Sequence, residues 1–285
     1  MVDFQLSVQG IKKAFPRFSS IESLPEGGQK LVFRVVDTEG QLYALKFIKQ
    51  DKGPQDERAL REIKIAGELI APWFVKMYEA QYCQIDGVNC ISILEEFIPG
   101  KSLATVLAEQ GAQSHAFVRN AGNILLSALS QIEEANLVHR DIKPSNIIVS
   151  VDGRIVLIDF GIARHLGEHS ITQSYALFGP MTIGYCAPEQ IRNEKRQISI
   201  RTDLFAFGIV LYEMTTGKNP FCDGCSSPQQ IIERCLRFVP PPLSNLGHPK
   251  GLSDFVEMCM AKASHRRPPS ADKARQSFTS IRWED

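Results

Sequence analysis

The sequence predicts an α+β chain of two lobes: a small lobe of five antiparallel strands with one helix, and a larger, mainly helical lobe. Three observations point there. Short runs rich in β-branched and aromatic residues, separated by turn residues, fill the chain as far as Phe97. After Ile98-Pro99-Gly100 the apolar spacing changes to the three- and four-residue intervals of helices. At 285 residues the chain is long enough to bury a substantial core in one two-lobed domain.

The elements follow in order. Strands are expected at Phe18 to Leu24, Lys30 to Asp37 and Gln41 to Ile48, the last two joined by the hairpin turn Thr38-Glu39-Gly40. Asp56 to Ile70 puts Leu60, Ile63, Ala66, Gly67 and Ile70 on one helical face, with charges around it. Strands resume at Val75 to Gln84 and Val88 to Phe97, turned by Asp86-Gly87. His115 to Ala135 reads as a long amphipathic helix through Phe117, Ala121, Ile124, Leu125, Leu129 and Ile132. Short strands Ile147 to Val149 and Ile155 to Ile158 follow. Helices come next at Arg201 to Thr216, Pro228 to Arg237, Leu252 to Ala261 and Ala271 to Ile281. This divides the chain into an extension (1–17), a domain (18–281) and a short tail (282–285). Within the domain a small lobe (18–96) and a large lobe (103–281) meet at a hinge (96–102), a preferred place for a ligand cleft. Residues 1–17 alternate at Val2, Phe4, Leu6 and Val8 and then carry Ile11, Ala14 and Phe15, a segment to pack on the small lobe or bind a partner.

Composition excludes several classes. Thirty-two Lys and Arg balance 32 Asp and Glu, so no charge excess points to nucleic acid or a membrane surface. The longest apolar stretch, Leu204 to Tyr212, ends at Glu213 after nine residues, too short for a bilayer span. Asp3, Lys12, Lys13 and Arg17 interrupt the first twenty residues, unlike a secretory signal. Seven cysteines suit reduced thiols, and the expected location is cytoplasmic. Cys222-Asp223-Gly224-Cys225 has metal-ligand spacing without a second close pair, so a surface turn is the better reading.

The chemistry gathers in the second lobe. His139-Arg140-Asp141-Ile142-Lys143-Pro144-Ser145-Asn146 is followed by two short strands and then Asp159-Phe160-Gly161. Ala44-Leu45-Lys46 lies on the third strand, and Thr182-Ile183-Gly184-Tyr185-Cys186-Ala187-Pro188-Glu189 comes after a loop. In this order the segments resemble the eukaryotic-type serine/threonine protein kinase family, over roughly residues 18 to 281. The resemblance implies the bilobal protein-kinase-like fold and ATP with Mg²⁺, or Mn²⁺, as cofactors. It makes Asp141 the catalytic base, Asn146 and Asp159 the metal ligands, and Lys143 the residue that steadies the transferring phosphate. Lys46 would meet the α- and β-phosphates, oriented by Glu62 on the helix, with Glu57 and Glu68 as alternatives. Leu24, Val32 and Ala44 would line the nucleotide site, and backbone groups of Glu96 and Ile98 would hold adenine. Thr182, with Lys143, resembles serine/threonine rather than tyrosine kinases, and its hydroxyl would contact Asp141 and Lys143. Glu189 would pair with Arg267, and Asp203 would brace the catalytic-loop backbone. Arg140 would meet a phosphate on the activation segment, with Ser174 the first candidate and Thr172 the second.

The sequence also departs from the family. In the phosphate-covering loop Leu24-Pro25-Glu26-Gly27-Gly28-Gln29-Lys30-Leu31-Val32, Pro25 and Lys30 replace two of the usual glycines, leaving Gly27 with Gly28 as an extra. Lys30 either adds charge near the phosphates or points to solvent. Glu95 falls where an apolar gatekeeper is usual, and its carboxylate must pair with Lys46 or a backbone donor, or stay wet. The implied activity is transfer of the γ-phosphate of ATP to Ser/Thr hydroxyls of protein, with autophosphorylation. A pseudokinase scaffold and a small-molecule kinase are the alternatives. The sequence names neither the protein substrate nor the oligomeric state.

Overall fold

A computed structural model of the chain describes residues 5–24, 30–50, 57–159 and 182–283, leaving out the side chains of residues 57–59 and 62. The chain forms two compact units that divide between Pro99 and Gly100.

The first unit holds five antiparallel strands: β1 (Phe18–Ser23), β2 (Lys30–Asp37), β3 (Leu42–Lys49), β4 (Met77–Ile85) and β5 (Val88–Glu96), in spatial order β1-β2-β3-β5-β4. β5 is therefore internal although it comes last, and it is buried without interruption from Cys90 to Glu95. Asp86 and Gly87, at φ 52 and 78, turn β4 into β5, the two-residue hairpin geometry expected of an Asp-Gly pair.

Two helices accompany this sheet, where the sequence led us to expect one. α1 (Val8–Ala14) is capped by Ser7, whose hydroxyl accepts the Gly10 N–H at 2.9 Å. It packs Ile11, followed by Phe15, with Leu6 into a cluster containing Phe33, Val35, Leu45, Phe47, Cys90 and Leu94. Phe15 lies 5.9 Å from Phe47, ring centroid to ring centroid. Arg17 clamps Glu79 through two bonds of 2.7 and 2.6 Å. α2 (Glu57–Gly67) serves the opposite face, where Ile63 packs on Ile48, Ile91 and Ile93. Alternation along the strands assigns each face, since successive side chains point to opposite sides.

The second unit begins inside the expected hinge. β6 (Gly100–Ser102), β7 (Ile147–Ser150) and β8 (Ile155–Leu157) form a three-stranded sheet in that order. Gly100 lies so close to the β7 backbone that a Cβ there would strike Val149 and Ser150. α3 (Leu103–Gln110), which the sequence reading passed over, is capped by Ser102. The helical body comprises α4 (His115–Glu134), α5 (Pro188–Ile191), α6 (Ile200–Thr216), α7 (Pro228–Arg237), α8 (Lys250–Cys259) and α9 (Ala271–Thr279). α6 is buried on nearly all sides and forms the axis of the unit. Gly122 of α4 admits the Phe278 ring of α9 and Leu211 of α6, with no room for a methyl group. Around the CxxC segment, Gly224 takes φ 71, a turn conformation, and Cys225 Sγ donates to the Phe221 carbonyl at 3.2 Å.

Candidate active site

In the first unit, strand register gathers one group of the expected residues. Val32 lies opposite Lys46, and Ala44 opposite Glu95, so all four share the α2 face of the sheet. Lys46 Nζ and a Glu95 carboxylate oxygen form an ion pair whose side chains are 7% and 8% exposed. Each charge would be costly if buried alone, and the diagonal contact between adjacent strands neutralises both. Of the alternatives open at position 95, the pairing with Lys46 is therefore the one realised. The expected orienting partner Glu62 belongs to α2 by its backbone, but its side chain lies outside the described residues, as does that of Glu57. Glu68 is exposed at the end of that helix. Leu24 donates its N–H to the Val32 carbonyl at 2.9 Å, closing β1 and β2 just before the loop. Gly27 and Gly28 themselves lie outside the described residues. Glu96 donates its N–H to the Lys76 carbonyl at 2.8 Å, and Ile98 is buried.

The second unit holds a tighter group. The Lys143 ammonium lies 2.8 Å from the Asp141 carboxylate, both side chains being under one-fifth exposed. Asn146, on the 3₁₀ turn Pro144–Asn146, donates its amide N–H groups to the Asp141 carbonyl at 2.8 Å and carboxylate at 2.9 Å. Lys143 Nζ also donates to the Thr182 hydroxyl at 3.4 Å. Four residues separated by up to 41 positions in the chain thus meet around one carboxylate and one ammonium.

The loop carrying them is braced from below. Asp203, buried in the first turn of α6, accepts the backbone N–H groups of His139 and Arg140, each at 2.7 Å. Burial pushes its carboxyl up to about 7, against the pull of those two donors. Arg140 adopts φ 66, and the two N–H bonds fix that left-handed backbone together with Gln190, whose side-chain amide donates to the Arg140 carbonyl at 3.0 Å. Gln190 also accepts the Ala187 N–H at 3.0 Å, so one side chain caps α5 and steadies the loop. Full burial depresses His139 to about 4, leaving a neutral imidazole whose Nδ1 accepts the Asp141 N–H at 3.3 Å. Asp159 follows β8 with φ 61, the second strained non-glycine backbone in this group.

Further out, Arg267 and Glu189 form a fully buried bidentate pair at 2.6 and 2.9 Å. Arg267 also donates to the carbonyls of Ala261 (2.8 Å), Arg201 (2.9 Å) and Lys262 (3.3 Å), while Thr202 donates to Glu189 at 2.9 Å. This network joins α5, α6 and the segment before α9.

The model of the family described as "Protein kinase domain" matches residues 18–279. The chain belongs to the protein kinase family. Among relatives of this kinase domain, PknB of Corynebacterium glutamicum, a probable serine/threonine-protein kinase, is 35% identical over 228 residues, covering 77% of the chain and 34% of the relative. A probable serine/threonine-protein kinase of Corynebacterium efficiens is 31% identical over 259 residues, covering 87% of the chain and 38% of the relative. The chain thus spans little more than a third of these relatives. Among solved structures, Rad53 residues 1–466 in complex with AMP-PNP aligns with a TM-score of 0.71 at 24% identity, covering 92% of this chain and 65% of that one. The Mycobacterium tuberculosis PknI kinase domain gives 0.67 at 21% identity, covering 92% and 95%. These two alignments establish the kinase fold.

Within the kinase domain, Asp141, Lys143, Asn146 and Thr182 form one cluster, and Val32, Ala44, Lys46 and Glu95 share one sheet face. Ser174 and Thr172 fall in residues 160–181, outside the described residues. Gln190 is the supporting residue the sequence reading missed. The available signal was its place two residues after Pro188, near the start of a helix, where a polar side chain turns back on the backbone.

Proposed function

We propose that the chain is an ATP-dependent serine/threonine protein kinase that transfers the γ-phosphoryl group to protein hydroxyls and phosphorylates itself. One observation carries the reading: the Asp141 carboxylate, held by Lys143 at 2.8 Å and Asn146 at 2.9 Å, beside the Thr182 hydroxyl. Phosphoryl transfer asks the protein for positioning and charge more than for covalent chemistry. Asp141 is the carboxylate that receives the proton of the substrate hydroxyl. Lys143, tied to Asp141 and Thr182, carries the positive charge that meets the transferring phosphate.

Asn146 spends its amide nitrogen on Asp141, which turns its carbonyl oxygen into the remaining polar group. That oxygen and the Asp159 carboxylate are hard donors, the kind that suits Mg²⁺ or Mn²⁺ over softer metals. Asn146 and Asp159 would hold such an ion, and it would supply the charge that offsets the phosphates. Lys46 supplies charge to the α- and β-phosphates. The balanced charge supports a cytoplasmic protein acting on proteins rather than on nucleic acid.

The Lys46–Glu95 pair favours a second reading, a pseudokinase whose phosphate-binding lysine is occupied from within. Radiolabel transfer from γ-labelled ATP to protein, beside Asp141→Asn and Asp159→Asn, separates the two. Incorporation lost in both variants supports the kinase; wild-type protein without incorporation, yet still engaging a protein partner, supports the scaffold.

A further inference from the structure

Cys83 on β4 and Cys90 on β5 are direct cross-strand partners, and their sulfur atoms lie 3.4 Å apart. Directly opposed residues of an antiparallel ladder have Cα atoms about 4.5–5.5 Å apart, inside the range that a disulfide spans. Both side chains belong to the face covered by α1, where Cys90 is buried and Cys83 half-buried. The two-residue turn at Asp86-Gly87 holds the register, and Asp86 is itself fixed by accepting the Ser7 N–H at 2.7 Å. We propose that Cys83 and Cys90 form a reversible thiol-oxidation site, with a hydroperoxide as oxidant and an intramolecular disulfide as product.

The two thiols differ in the way this chemistry requires. The sulfur–sulfur contact, in which either atom can donate, favours thiolate at Cys83, and the same contact together with burial pushes Cys90 the other way. Cys83 is also the more accessible of the two. Burial pushes the Cys222, Cys235 and Cys259 thiols the other way. Thiolate character and access together determine which cysteine a peroxide attacks.

In the first step the Cys83 thiolate attacks one peroxide oxygen. With hydrogen peroxide the S–O bond forms, the O–O bond breaks, and hydroxide leaves and takes up the proton that Cys83 had released on becoming a thiolate, giving the first water. In the second step Cys90 sulfur attacks the Cys83 sulfenic acid. The S–S bond forms, the S–O bond breaks, and the Cys90 proton leaves with the hydroxyl as water. The pair gives up two electrons and the peroxide becomes two waters; an added dithiol reverses the change by exchange. The product would lock β4 to β5 beneath α1.

The full chain, treated with hydrogen peroxide at stepwise ratios, alkylated and mapped by mass spectrometry, tests this. The Cys83–Cys90 link should form before any other cysteine loses its free thiol, and dithiothreitol should restore both alkylation sites. In Cys90→Ser a sulfenic acid trappable by dimedone should accumulate at Cys83, whereas Cys83→Ser should leave Cys90 reduced at the same dose. Far-ultraviolet circular dichroism checks that both variants fold, and the wild-type map stands without them. Earlier oxidation elsewhere, or wild-type Cys83 passing to sulfinic acid with Cys90 still free, would overturn the proposal.

Discussion

Arg267 and Glu189 offer a quantitative test of how the large unit is held together. Their side chains are 0% and 2% exposed, so replacing either one leaves the other charge in the interior without its partner. Losing one member of a buried pair costs about 3–5 kcal/mol. For a cooperative unit of this size 1 kcal/mol moves Tm by about 2–4 °C, so Glu189→Gln and Arg267→Met should each lower Tm by roughly 6–20 °C. The double variant is the informative one. It orphans no charge, but the Thr202 hydroxyl and the carbonyls of Arg201, Ala261 and Lys262 still lose a partner. Its cost should therefore be close to that of Arg267→Met alone, and well short of the sum. Urea unfolding followed by circular dichroism gives the coupling energy directly. Single-variant costs that add within about 0.5 kcal/mol would refute the reasoning, because independent sites behave that way.

Other consequences are open to equally direct measurement. Asp203 ionises only as pH rises through about 7, so phosphotransfer should fall below that pH as the protonated carboxyl ceases to accept both loop N–H groups, and Asp203→Asn should lose this dependence. The stability contribution has the opposite sign: a folded pKa raised from 3.8 favours the native state at acid pH and loses that contribution as pH rises through about 7, visible in urea titrations against Asp203→Asn. Glu95→Gln should lower KM for ATP several-fold by releasing Lys46 from an internal carboxylate; an unchanged KM would mean the pair does not compete with phosphate. Gly122→Ala should cost about 1–3 kcal/mol in chemical unfolding, because the added methyl meets the Phe278 ring and Leu211.

Much of the chemistry was legible because it depends on residue types at fixed spacing. Asp141, Lys143 and Asn146 occupy one turn and its approach, so their meeting follows from local geometry, and a Pro at position 144 fits a turn of that kind. What the sequence could not supply was the choice among long-range partners. Glu95 had three possible fates, and only the diagonal register of β3 against β5 selects Lys46. α1 was obscured by two competing periods. Val2, Phe4, Leu6 and Val8 alternate like a strand, while the Ser7 cap and the four-residue step from Ile11 to Phe15 belong to a helix. The internal place of β5 shows only in its unbroken burial from Cys90 to Glu95, because Ser92 and Glu95 interrupt its apolar residues, whereas β4, at the edge, keeps exposed positions along its length. For Gln190 the local pattern carries only the cap on the Ala187 N–H; its bond to the Arg140 carbonyl, fifty positions away, leaves no trace there.

The covering of the sheet by α1 bears on where this domain can be cut. The family match begins at residue 18, yet Leu6, Ile11 and Phe15 complete the cluster around Phe33 and Phe47. A fragment trimmed to that match would bare a continuous apolar face carrying Phe18, Phe33 and Phe47, and would forgo roughly 1.5–3 kcal/mol for each of the three large side chains removed. Such a fragment should be sticky and poor in yield whatever its catalytic residues can do. For anyone preparing the protein for crystallisation or screening, the natural boundary is the start of the segment that shields the sheet, before Leu6.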